Sequence, residues 1–387
     1  MRVSHVITRL VIGGAQENTV ATVLGLRHKQ DVQVDLISGP TTGPEGSLTS
    51  QLDGFPEILT VVPTLVRAVH PVFDLVTLRH LTRIFQSTRP QIVHTHSGKA
   101  GILGRWAASR AGVPIIIHTV HGPSFGAFQG AVPNFLFRNA ERSAAKVTTH
   151  FVTVADAMTQ QYLAAGLGRP EQYTRIFSGF PLTPFLEVQN DPALRNRLQI
   201  GADDIVIGKI ARLFKLKGHD DLLEVSRAII QSSPKVKFLM LGDGTWREGL
   251  EKKVKLYGVS KKFIFTGLVP PEEVPRYVGI MDLLVHLSRR EGLPRALPQA
   301  LAAGRPVIAY DCDGASEVCW PNETGFLVKP GDLRSLTARI IQLIQEPALR
   351  GRMGARGREF VRQSFSAETM VDKIYTLYLQ LASGRRQ

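Results

Sequence analysis

The sequence predicts an α/β protein made of two domains, each a doubly wound parallel sheet. Short, β-rich apolar runs alternate with longer amphipathic stretches, and this alternation occurs in two successive blocks. Continuous apolar runs are typical of strands that helices cover on both faces, as in parallel sheets. A chain of 387 residues is long enough for each block to bury a core of its own.

The order of the runs sets the predicted domains. In the first half, strands are predicted at MRVSHVI, VQVDLIS, QIVHTH, VPIIIHT and HFVTV, and in the second half at IVIGKIA, VKFLMLG, KFIFTG, LLVHLS and PVIAYD. The Gly/Pro-rich stretch around Gly179 interrupts the pattern, so we predict domains over 1–180 and 181–365. The segment AETMVDKIYTLYLQLAS predicts an amphipathic helix within 366–387, a candidate to cross back to the N-terminal domain.

Composition indicates where the protein works. Two cysteines, Cys312 and Cys319, are too few for a disulfide framework and suit a reducing compartment. The first residues lack the features of a signal peptide, and no apolar run approaches the roughly 18 residues of a spanning helix. We therefore expect a cytoplasmic protein, with peripheral attachment to the inner face of the membrane as a further expectation.

The net charge of +14 indicates anionic partners. The basic residues are spread along the chain and form no nucleic-acid-binding motif, so nucleic acid is not an expected partner. An anionic membrane surface and phosphorylated small molecules fit better. The segment LVRAVHPVFDLVTLRHLTRIFQ is a basic amphipathic candidate for the membrane surface. An ordinary surface helix packed on the sheet explains this segment at least as well.

Two glycines follow the first predicted strand. Gly13 and Gly14 precede a helix that begins near Ala15. Without a Cβ, their backbone N–H groups can approach a phosphate or a sugar, and the helix N-terminus favours negative charge. A tight strand-to-helix turn is the alternative, since the full G-x-G-x-x-G pattern is absent.

Two cations, Arg212 and Lys217, follow the first strand of the second domain. Ligands of open α/β sheets bind at the carboxyl ends of the strands. Arginine offers a planar fork and lysine a point charge, so the pair can hold a diphosphate and stabilise charge on a departing phosphate. Solvated loop cations are the alternative, and the position favours the functional role.

A carboxylate follows the strand LLVHLS. Glu291, beside Gly292, is placed to accept hydrogen bonds from sugar hydroxyls. Pro294 and Pro298 mark the start of the next helix, where a missing N–H costs little. Gln299 is predicted to lie early in that helix and to face the same site.

Three histidines follow or end strands. His121 lies at a strand end before Gly122, where a site role competes with a structural one. His94 and His96 alternate, so they share a face. Because the sequence shows no third ligand beside them, we expect no metal site. The sequence also shows no nucleophile elbow and no P-loop.

Four stretches together resemble glycosyltransferase family 4, whose members are retaining enzymes of the GT-B fold, with two Rossmann-like domains facing a central cleft. The stretches are IGGAQ, HTHSGKAGILGRWAASRAGVPIIIHTVHG, IARLFKLKGH and REGLPRALPQALAAGRPVIAYDCDGASEV. The resemblance covers nearly the whole chain. The last stretch is the most diagnostic, because it stands where the family carries a Glu-x7-Glu motif.

The resemblance implies roles for the residues already singled out. In the first domain, Gly14 would offer its amide to the donor phosphate, Gly13 would shape the turn, and His121 would contact the donor sugar. In the second domain, Arg212 and Lys217 would hold the diphosphate.

The resemblance also implies that Glu291 binds the transferred sugar, with the backbone of Gly292 and Leu293 near the same group. The second motif position is Gln299, where the family usually has a glutamate bound to ribose hydroxyls. Glutamine keeps one acceptor and adds donors, but it loses the stronger charge-assisted hydrogen bond.

The function that follows from the resemblance is a retaining, metal-independent transfer of sugar from a nucleoside diphosphate sugar, with a uridine diphosphate sugar favoured. No cofactor is expected. The acceptor would be a glycan or a lipid-linked glycan of cell-surface polysaccharide or glycolipid synthesis. Two alternatives stay open: a non-catalytic nucleotide-sugar sensor or scaffold, which Gln299 motivates, and a nucleotide-sugar epimerase of the same fold.

Overall fold

The structure is a computed structural model that describes residues 1–42, 46–126 and 128–384. Residues 385–387, which the predicted C-terminal segment includes, lie outside the described residues. The chain divides into two compact units. Unit 1 comprises Met1–Phe180 and the C-terminal segment from Ala367, and unit 2 comprises Pro181–Ser366.

Unit 1 contains a seven-stranded sheet of order β3-β2-β1-β4-β5-β6-β7, in which all pairs are parallel. The strands are β1 (Arg2–Ile7), β2 (Gln33–Ser38), β3 (Leu59–Val61), β4 (Ile92–His96), β5 (Ile115–Val120), β6 (His150–Thr153) and β7 (Tyr173–Arg175). The helices are α1 (Gly14–Arg27), α2 (Pro71–Thr88), α3 (Gly98–Arg110), α4 (Ala131–Ala145), α5 (Asp156–Ala164) and, after unit 2 in the chain, α14 (Ala367–Ser383).

Unit 2 contains a six-stranded sheet of order β10-β9-β8-β11-β12-β13, also parallel throughout. The strands are β8 (Ile205–Ile210), β9 (Val236–Leu241), β10 (Phe263–Gly267), β11 (Leu283–His286), β12 (Val307–Tyr310) and β13 (Gly325–Val328). The helices are α6 (Thr183–Leu186), α7 (Pro192–Arg197), α8 (His219–Ser232), α9 (Arg247–Leu256), α10 (Val274–Gly279), α11 (Ala296–Ala302), α12 (Leu333–Gln345) and α13 (Pro347–Ser364).

The predicted fold class is confirmed, and every predicted apolar run contains a strand. The central strands β4, β5, β11 and β12 are buried at every position, as expected of strands covered on both faces. Three strands were not predicted: β3, β7 and β13. Each has three or four residues and lies at the edge of its sheet. An edge strand has only one neighbour to pair with, and these three are too short to show a periodicity.

Local signals in the sequence fix the helix ends. Helix α2 begins with Pro71, preceded by His70, whose Nδ1 accepts a hydrogen bond from the Phe73 N–H at 3.3 Å. Its last residue, Thr88, is followed by the cap residue Arg89, which adopts a left-handed conformation with φ 47°. In α7, the Asp191 carboxylate caps the first turn by accepting from the Leu194 N–H at 3.0 Å.

Helix α14 packs on α1 within unit 1. A Cβ at Gly25 would lie 2.5 Å from a methyl carbon of Val371, so the two helices approach closely because position 25 has no side chain. Helix α14 also buries Met370, Ile374 and Tyr378 in the unit 1 core. No described helix combines the length and the apolar character needed to cross a bilayer.

An ion pair lies in the interior of unit 1. The side chains of Arg105 on α3 and Glu141 on α4 are 0% and 1% exposed, with Nη2 and Oε2 2.6 Å apart. Arg105 also donates to the Gly101 carbonyl at 2.8 Å, and the second Glu141 oxygen accepts from Ser124 Oγ at 2.9 Å. The pair therefore has the additional hydrogen bonds that two buried charges need.

Candidate functional site

The unit 2 sheet has a topological switch point between β8 and β11. The chain runs outward from β8 to β9 and β10 on one side, and from β11 to β12 and β13 on the other. At such a point the loops after the two central strands turn in opposite directions and leave a crevice at the carboxyl ends. The loop after β8 carries Arg212 and Lys217, and the loop after β11 carries Glu291.

The structure joins two of the predicted site residues directly. Lys217 Nζ donates to Glu291 Oε1 at 2.5 Å, and His286 Nε2 lies 3.2 Å from the same oxygen. The Lys217 and Glu291 side chains are 19% and 20% exposed, so both remain accessible from solvent. This ion pair and His286 form the centre of the unit 2 site.

The charges at this centre follow from its contacts. Burial raises the pKa of Glu291, but the hydrogen bond from His286 and the charge of Lys217 outweigh it and hold the pKa well below its usual range. Burial also lowers the pKa of His286, against the opposing effect of Glu291. At neutral pH, a neutral His286 therefore donates its Nε2–H to an ionised carboxylate.

A glycine places the lysine. Gly218 has φ +65°, and a Cβ there would lie 2.1 Å from the carbonyl oxygen of Leu287. Any other residue would push the loop after β8 away from the loop after β11. The absence of a side chain at Gly218 thus allows Lys217 to reach Glu291.

The backbone of Glu291 is also anchored. Its N–H donates to Asp313 Oδ2 at 2.7 Å, and the Gly314 N–H donates to the Gly292 carbonyl at 3.1 Å. Asp313 has φ 50°, in the left-handed region that aspartate tolerates better than most residues. Asp313 was not among the predicted site residues. The contact joins the ends of two adjacent strands, and no sequence spacing reveals it.

Lys209 is another cation near the ion pair, and it was not among the predicted site residues. It lies on β8 and is 1% exposed. Burial lowers its pKa to about 7, and the charge of Lys217 acts in the same direction, while Asp221 and Glu291 oppose it. Its position inside the run IVIGKI, where the neighbours are apolar, is the one signal in the sequence.

The other predicted residues of unit 2 lie in the same two loops or on the helix that follows the second of them. Arg212 is exposed in the loop after β8, with its guanidinium 5.2 Å from the centroid of the Phe214 ring. Leu293 follows Gly292 in the chain and is half-buried. Gln299 is the fourth residue of α11 and is also half-buried.

In unit 1, the two predicted glycines begin helix α1. Gly13 caps it and Gly14 is its first residue. A Cβ at Gly13 would lie 2.9 Å from the flexible end of Gln16, and a Cβ at Gly14 would meet no described atom within 4 Å. Packing within the described part of the chain therefore does not require glycine at position 14.

His121 directly follows β5 in unit 1 and is half-buried. Its Nε2 lies 3.0 Å from His96 Nδ1. Burial lowers the pKa of His121 to about 3, so the ring is neutral at physiological pH.

The sequence shows no third possible ligand beside His94 and His96, but the structure places His5 next to them. His5 lies on β1, in register with His94 on β4, and one ring nitrogen of each of the three histidines lies within 4.8 Å of the others. All three rings are buried. The sequence spacing could not show this contact, because sheet pairing joins residues that are 89 positions apart.

Two family models match most of the chain. Residues 190–360 match "Glycosyl transferases group 1", and residues 13–179 match "Glycosyl transferase 4-like domain". The chain is 26% identical to the UDP-Gal:alpha-D-GlcNAc-diphosphoundecaprenol alpha-1,3-galactosyltransferase of Escherichia coli, over 100% of this chain and 98% of that one. It is 25% identical to the capsular polysaccharide biosynthesis glycosyltransferase CapM of Staphylococcus aureus, over 92% and 93% of the two chains.

Solved structures show the same fold. Anabaena Alr3699/HepE in complex with UDP-glucose superposes with a TM-score of 0.81 at 19% identity, over 98% of this chain and 100% of that one. The lipopolysaccharide outer core galactosyltransferase WaaB in its apo form gives a TM-score of 0.72 at 14% identity, over 98% and 100%. The fold is GT-B. The chain therefore belongs to the group 1 glycosyl transferases, with a glycosyl transferase 4-like N-terminal domain, and it is a glycosyltransferase.

Proposed function

We propose that this glycosyltransferase moves a sugar from a nucleoside diphosphate sugar, with a uridine diphosphate sugar favoured, to a glycan or lipid-linked acceptor, with retention and without a metal ion. The observation that carries the proposal is the Lys217–Glu291 ion pair at the switch point of the unit 2 sheet. Its two members suit the two parts of a donor, since the cation attracts phosphate and the carboxylate accepts hydrogen bonds from hydroxyls.

Lys217 is assigned to the diphosphate. An ammonium has three N–H donors, and the bond to Glu291 uses one of them. Arg212 lies five residues earlier in the same loop and is exposed, and it is assigned as the second cation for the diphosphate. Two positive charges beside a departing diphosphate would stabilise the charge that develops in the transition state.

Glu291 is assigned to the transferred sugar. Its ionised carboxylate accepts hydrogen bonds, and Asp313 fixes the backbone on which it stands. The amides of Gly292 and Leu293 follow in the chain and are assigned to the same sugar. Gln299, on α11, is assigned to the ribose hydroxyls, where its neutral amide would bind less strongly than the glutamate usual in the family.

In unit 1, donor contacts are assigned to Gly13, Gly14 and His121, and they rest mainly on the family resemblance. Local geometry supports the assignment at Gly14, which begins a helix of 14 residues. Packing against described atoms does not explain why this position lacks a side chain. A helix N-terminus attracts phosphate. His121 is neutral, so it can bind a hydroxyl without competing as a cation for the diphosphate.

The proposed reaction breaks the bond between the anomeric carbon and the donor phosphate oxygen and forms a bond from that carbon to the acceptor hydroxyl on the same face. The proton of the acceptor passes to the departing phosphate oxygen. Lys217 and Arg212 supply the positive charge at the leaving group that a divalent ion supplies in metal-dependent enzymes. The acceptor class is proposed by analogy with the E. coli relative, whose name specifies a diphosphoundecaprenol-linked sugar.

A screen of nucleotide sugars in EDTA tests the proposal. A donor that binds the folded chain at about 100 times its Kd should stabilise it by about 2.7 kcal/mol. We expect a uridine diphosphate sugar to raise Tm and then to be transferred, with an anomeric coupling in the product that shows retention.

Each contrary outcome of this screen identifies a different alternative. Tight binding without transfer or hydrolysis indicates a sensor, and a changed sugar formed without acceptor indicates an epimerase. Activity that EDTA abolishes and Mg²⁺ restores contradicts metal independence. If no nucleotide sugar binds, the proposal fails as a whole.

Attachment to an anionic membrane surface is a separate part of the proposal. The first turns of α2 expose apolar side chains that unit 1 leaves uncovered, with Val72 63% and Phe73 43% exposed, and Leu75 and Val76 are exposed as well. Arg79 and Arg83 are exposed further along the helix. The opposite face, which includes Leu81, packs into the unit. Exposed apolar groups beside cations suit insertion at a lipid headgroup layer.

Vesicle co-sedimentation tests this attachment. Because each cation near an anionic surface contributes about 1 kcal/mol, we expect Arg79→Glu/Arg83→Glu to lower binding to vesicles containing phosphatidylglycerol by at least about tenfold. The matched control is Arg352→Glu/Arg362→Glu, which reverses two exposed charges on α13 in unit 2. Equal binding by both variants, or binding that neutral vesicles match, would count against the attachment.

A further inference from the structure

His121, which the proposed function assigns to the donor, is the first member of a hydrogen-bonded chain whose other members have no assigned role. Its Nε2 lies 3.0 Å from His96 Nδ1, and His96 Nε2 lies 2.9 Å from His5 Nδ1. The centroids of the His5 and His96 rings are 5.2 Å apart. This is the largest separation that two imidazoles with nitrogens 2.9 Å apart can have, so the nitrogens point directly at each other. The same holds for His96 and His121, at 5.3 Å.

The chain continues to the C-terminal helix and back to the sheet. Tyr378 Oη, on α14, lies 3.3 Å from His5 Nε2 and 2.5 Å from His94 Nδ1. His94 Nε2 then lies 2.6 Å from Thr119 Oγ1 on β5. Six side chains from β1, β4, β5, the residue after β5, and α14 thus form one continuous series.

Every imidazole in the series is neutral at physiological pH. Burial lowers the pKa of His5 to about 3, and it lowers the pKa of His94 and His96 well below the usual value. A neutral imidazole has one N–H and one acceptor nitrogen. In a series of such rings, each hydrogen bond can be satisfied only if all the N–H groups point the same way along the chain.

Bond lengths around Tyr378 indicate which way they point. O–H donors make shorter hydrogen bonds than N–H donors do. The 2.5 Å contact to His94 therefore fits the phenol O–H donating to His94 Nδ1, and the 3.3 Å contact fits His5 Nε2–H donating to the phenol oxygen. His5 Nδ1 is then an acceptor for His96 Nε2–H, and His96 Nδ1 is an acceptor for His121 Nε2–H.

We propose that this chain holds His121 as its Nε2–H tautomer, so that Nδ1 is an acceptor for a hydroxyl of the bound sugar. His96, His5 and Tyr378 are positioning residues in this proposal, because they act through His121. The hydroxyl as ligand rests on the proposed function, in which His121 contacts the donor sugar. The tautomer itself does not, because it follows from contacts within unit 1.

A metal bound by His5, His94 and His96 is the competing explanation. It requires lone pairs from the three rings to converge on one point. In the structure, the facing nitrogens of His5 and His96 are paired with each other, and both nitrogens of His94 pair with hydroxyl groups. The contacts favour the hydrogen-bonded series.

Long-range ¹H–¹⁵N correlation spectra of the full chain labelled with ¹⁵N-histidine test the proposal without any substrate. At pH 7, we expect His121 to show a protonated Nε2 and a bare Nδ1, with His121→Asn used to assign its signals. Tyr378→Phe removes the phenol hydroxyl, and we expect it to change the ratio of the two His121 tautomers by about fivefold, since one hydrogen bond is worth about 1 kcal/mol. The matched control is Tyr375→Phe, which removes a phenol from the same helix that contacts Asp31.

The outcomes separate this proposal from the proposed function. A protonated Nδ1 on His121 in the wild-type chain would overturn it, even if Tyr378→Phe did not fold. Stoichiometric Zn²⁺ binding that perturbs His5, His94 and His96 together would also overturn it. If the tautomers respond as expected but the chain transfers no sugar, the proposed function fails and the tautomer assignment stands. If transfer occurs but kcat/KM is unchanged by a Tyr378→Phe variant with altered tautomers, the positioning role is wrong.

Discussion

Replacing Lys217 with methionine should lower kcat for sugar transfer by about 10²–10³-fold, the range seen when one preorganised donor to a developing negative charge is removed. Lys217 lies beside the carboxylate assigned to the sugar, with Nζ 2.5 Å from Glu291. Methionine keeps most of the length of the side chain and removes the charge, so the leaving diphosphate loses stabilisation. A steady-state assay with the donor found in the screen measures the effect.

The fold should tolerate this change. Glu291 keeps its hydrogen bond from His286 and is 20% exposed, so water can solvate the carboxylate. The matched control is Lys215→Met, which removes an exposed charge two residues earlier in the same loop and should keep turnover within about twofold. Arg212→Ala should also lower turnover. Turnover like that of the wild type in both Lys217→Met and Arg212→Ala would contradict the proposed mechanism.

Replacing Arg105 with methionine should lower the free energy of unfolding of unit 1 by about 3–5 kcal/mol, because it leaves Glu141 as an uncompensated charge in the interior. Both side chains are essentially unexposed, and their charged atoms are 2.6 Å apart. Trp246 and Trp320 belong to unit 2, so the background for this experiment is Trp246→Phe/Trp320→Phe. Urea unfolding followed by the fluorescence of the remaining Trp106 then reports on unit 1.

Two further variants isolate the cause. In Arg105→Met/Glu141→Leu both charges are gone, so we expect much of the lost stability to return. The exposed pair of Arg169 and Glu171 in unit 1, whose side chains are 74% and 65% exposed, provides the control. Arg169→Met should cost less than about 1 kcal/mol. A similarly small loss for Arg105→Met would show that the buried pair is not the source of the stability.

The sheets and the centre of the site follow from local features of the sequence. Apolar runs mark the central strands because both of their faces are buried. Lys217 and Glu291 are predicted to converge because each follows a strand in a doubly wound sheet, and the order of strands in unit 2 places those two strands side by side. The positions of the strand ends and the types of the residues that follow them are sufficient for this prediction.

Contacts set by the pairing of strands, or by a helix that packs on a distant part of the chain, could not be predicted from local sequence features. His5 lies beside His94 because β1 pairs with β4. Tyr378 contacts His94 from a helix that follows unit 2 in the sequence. Asp313 anchors Glu291 across the ends of neighbouring strands. In each case the residue type is ordinary for its local segment, and only the three-dimensional pairing gives it a partner.

Helix α14 completes the core of unit 1 but follows all of unit 2 in the chain. Unit 1 therefore cannot complete its core during synthesis until unit 2 has been translated. Translation of Pro181–Ser366 takes roughly ten to forty seconds, and throughout that interval the apolar surface of α1 lacks its cover. Unit 2, whose segments are contiguous, can fold on the ribosome while the earlier part of the chain is still incomplete. A newly made chain thus exposes the apolar surface of α1 until α14 is synthesised, which makes the chain a candidate substrate for chaperones.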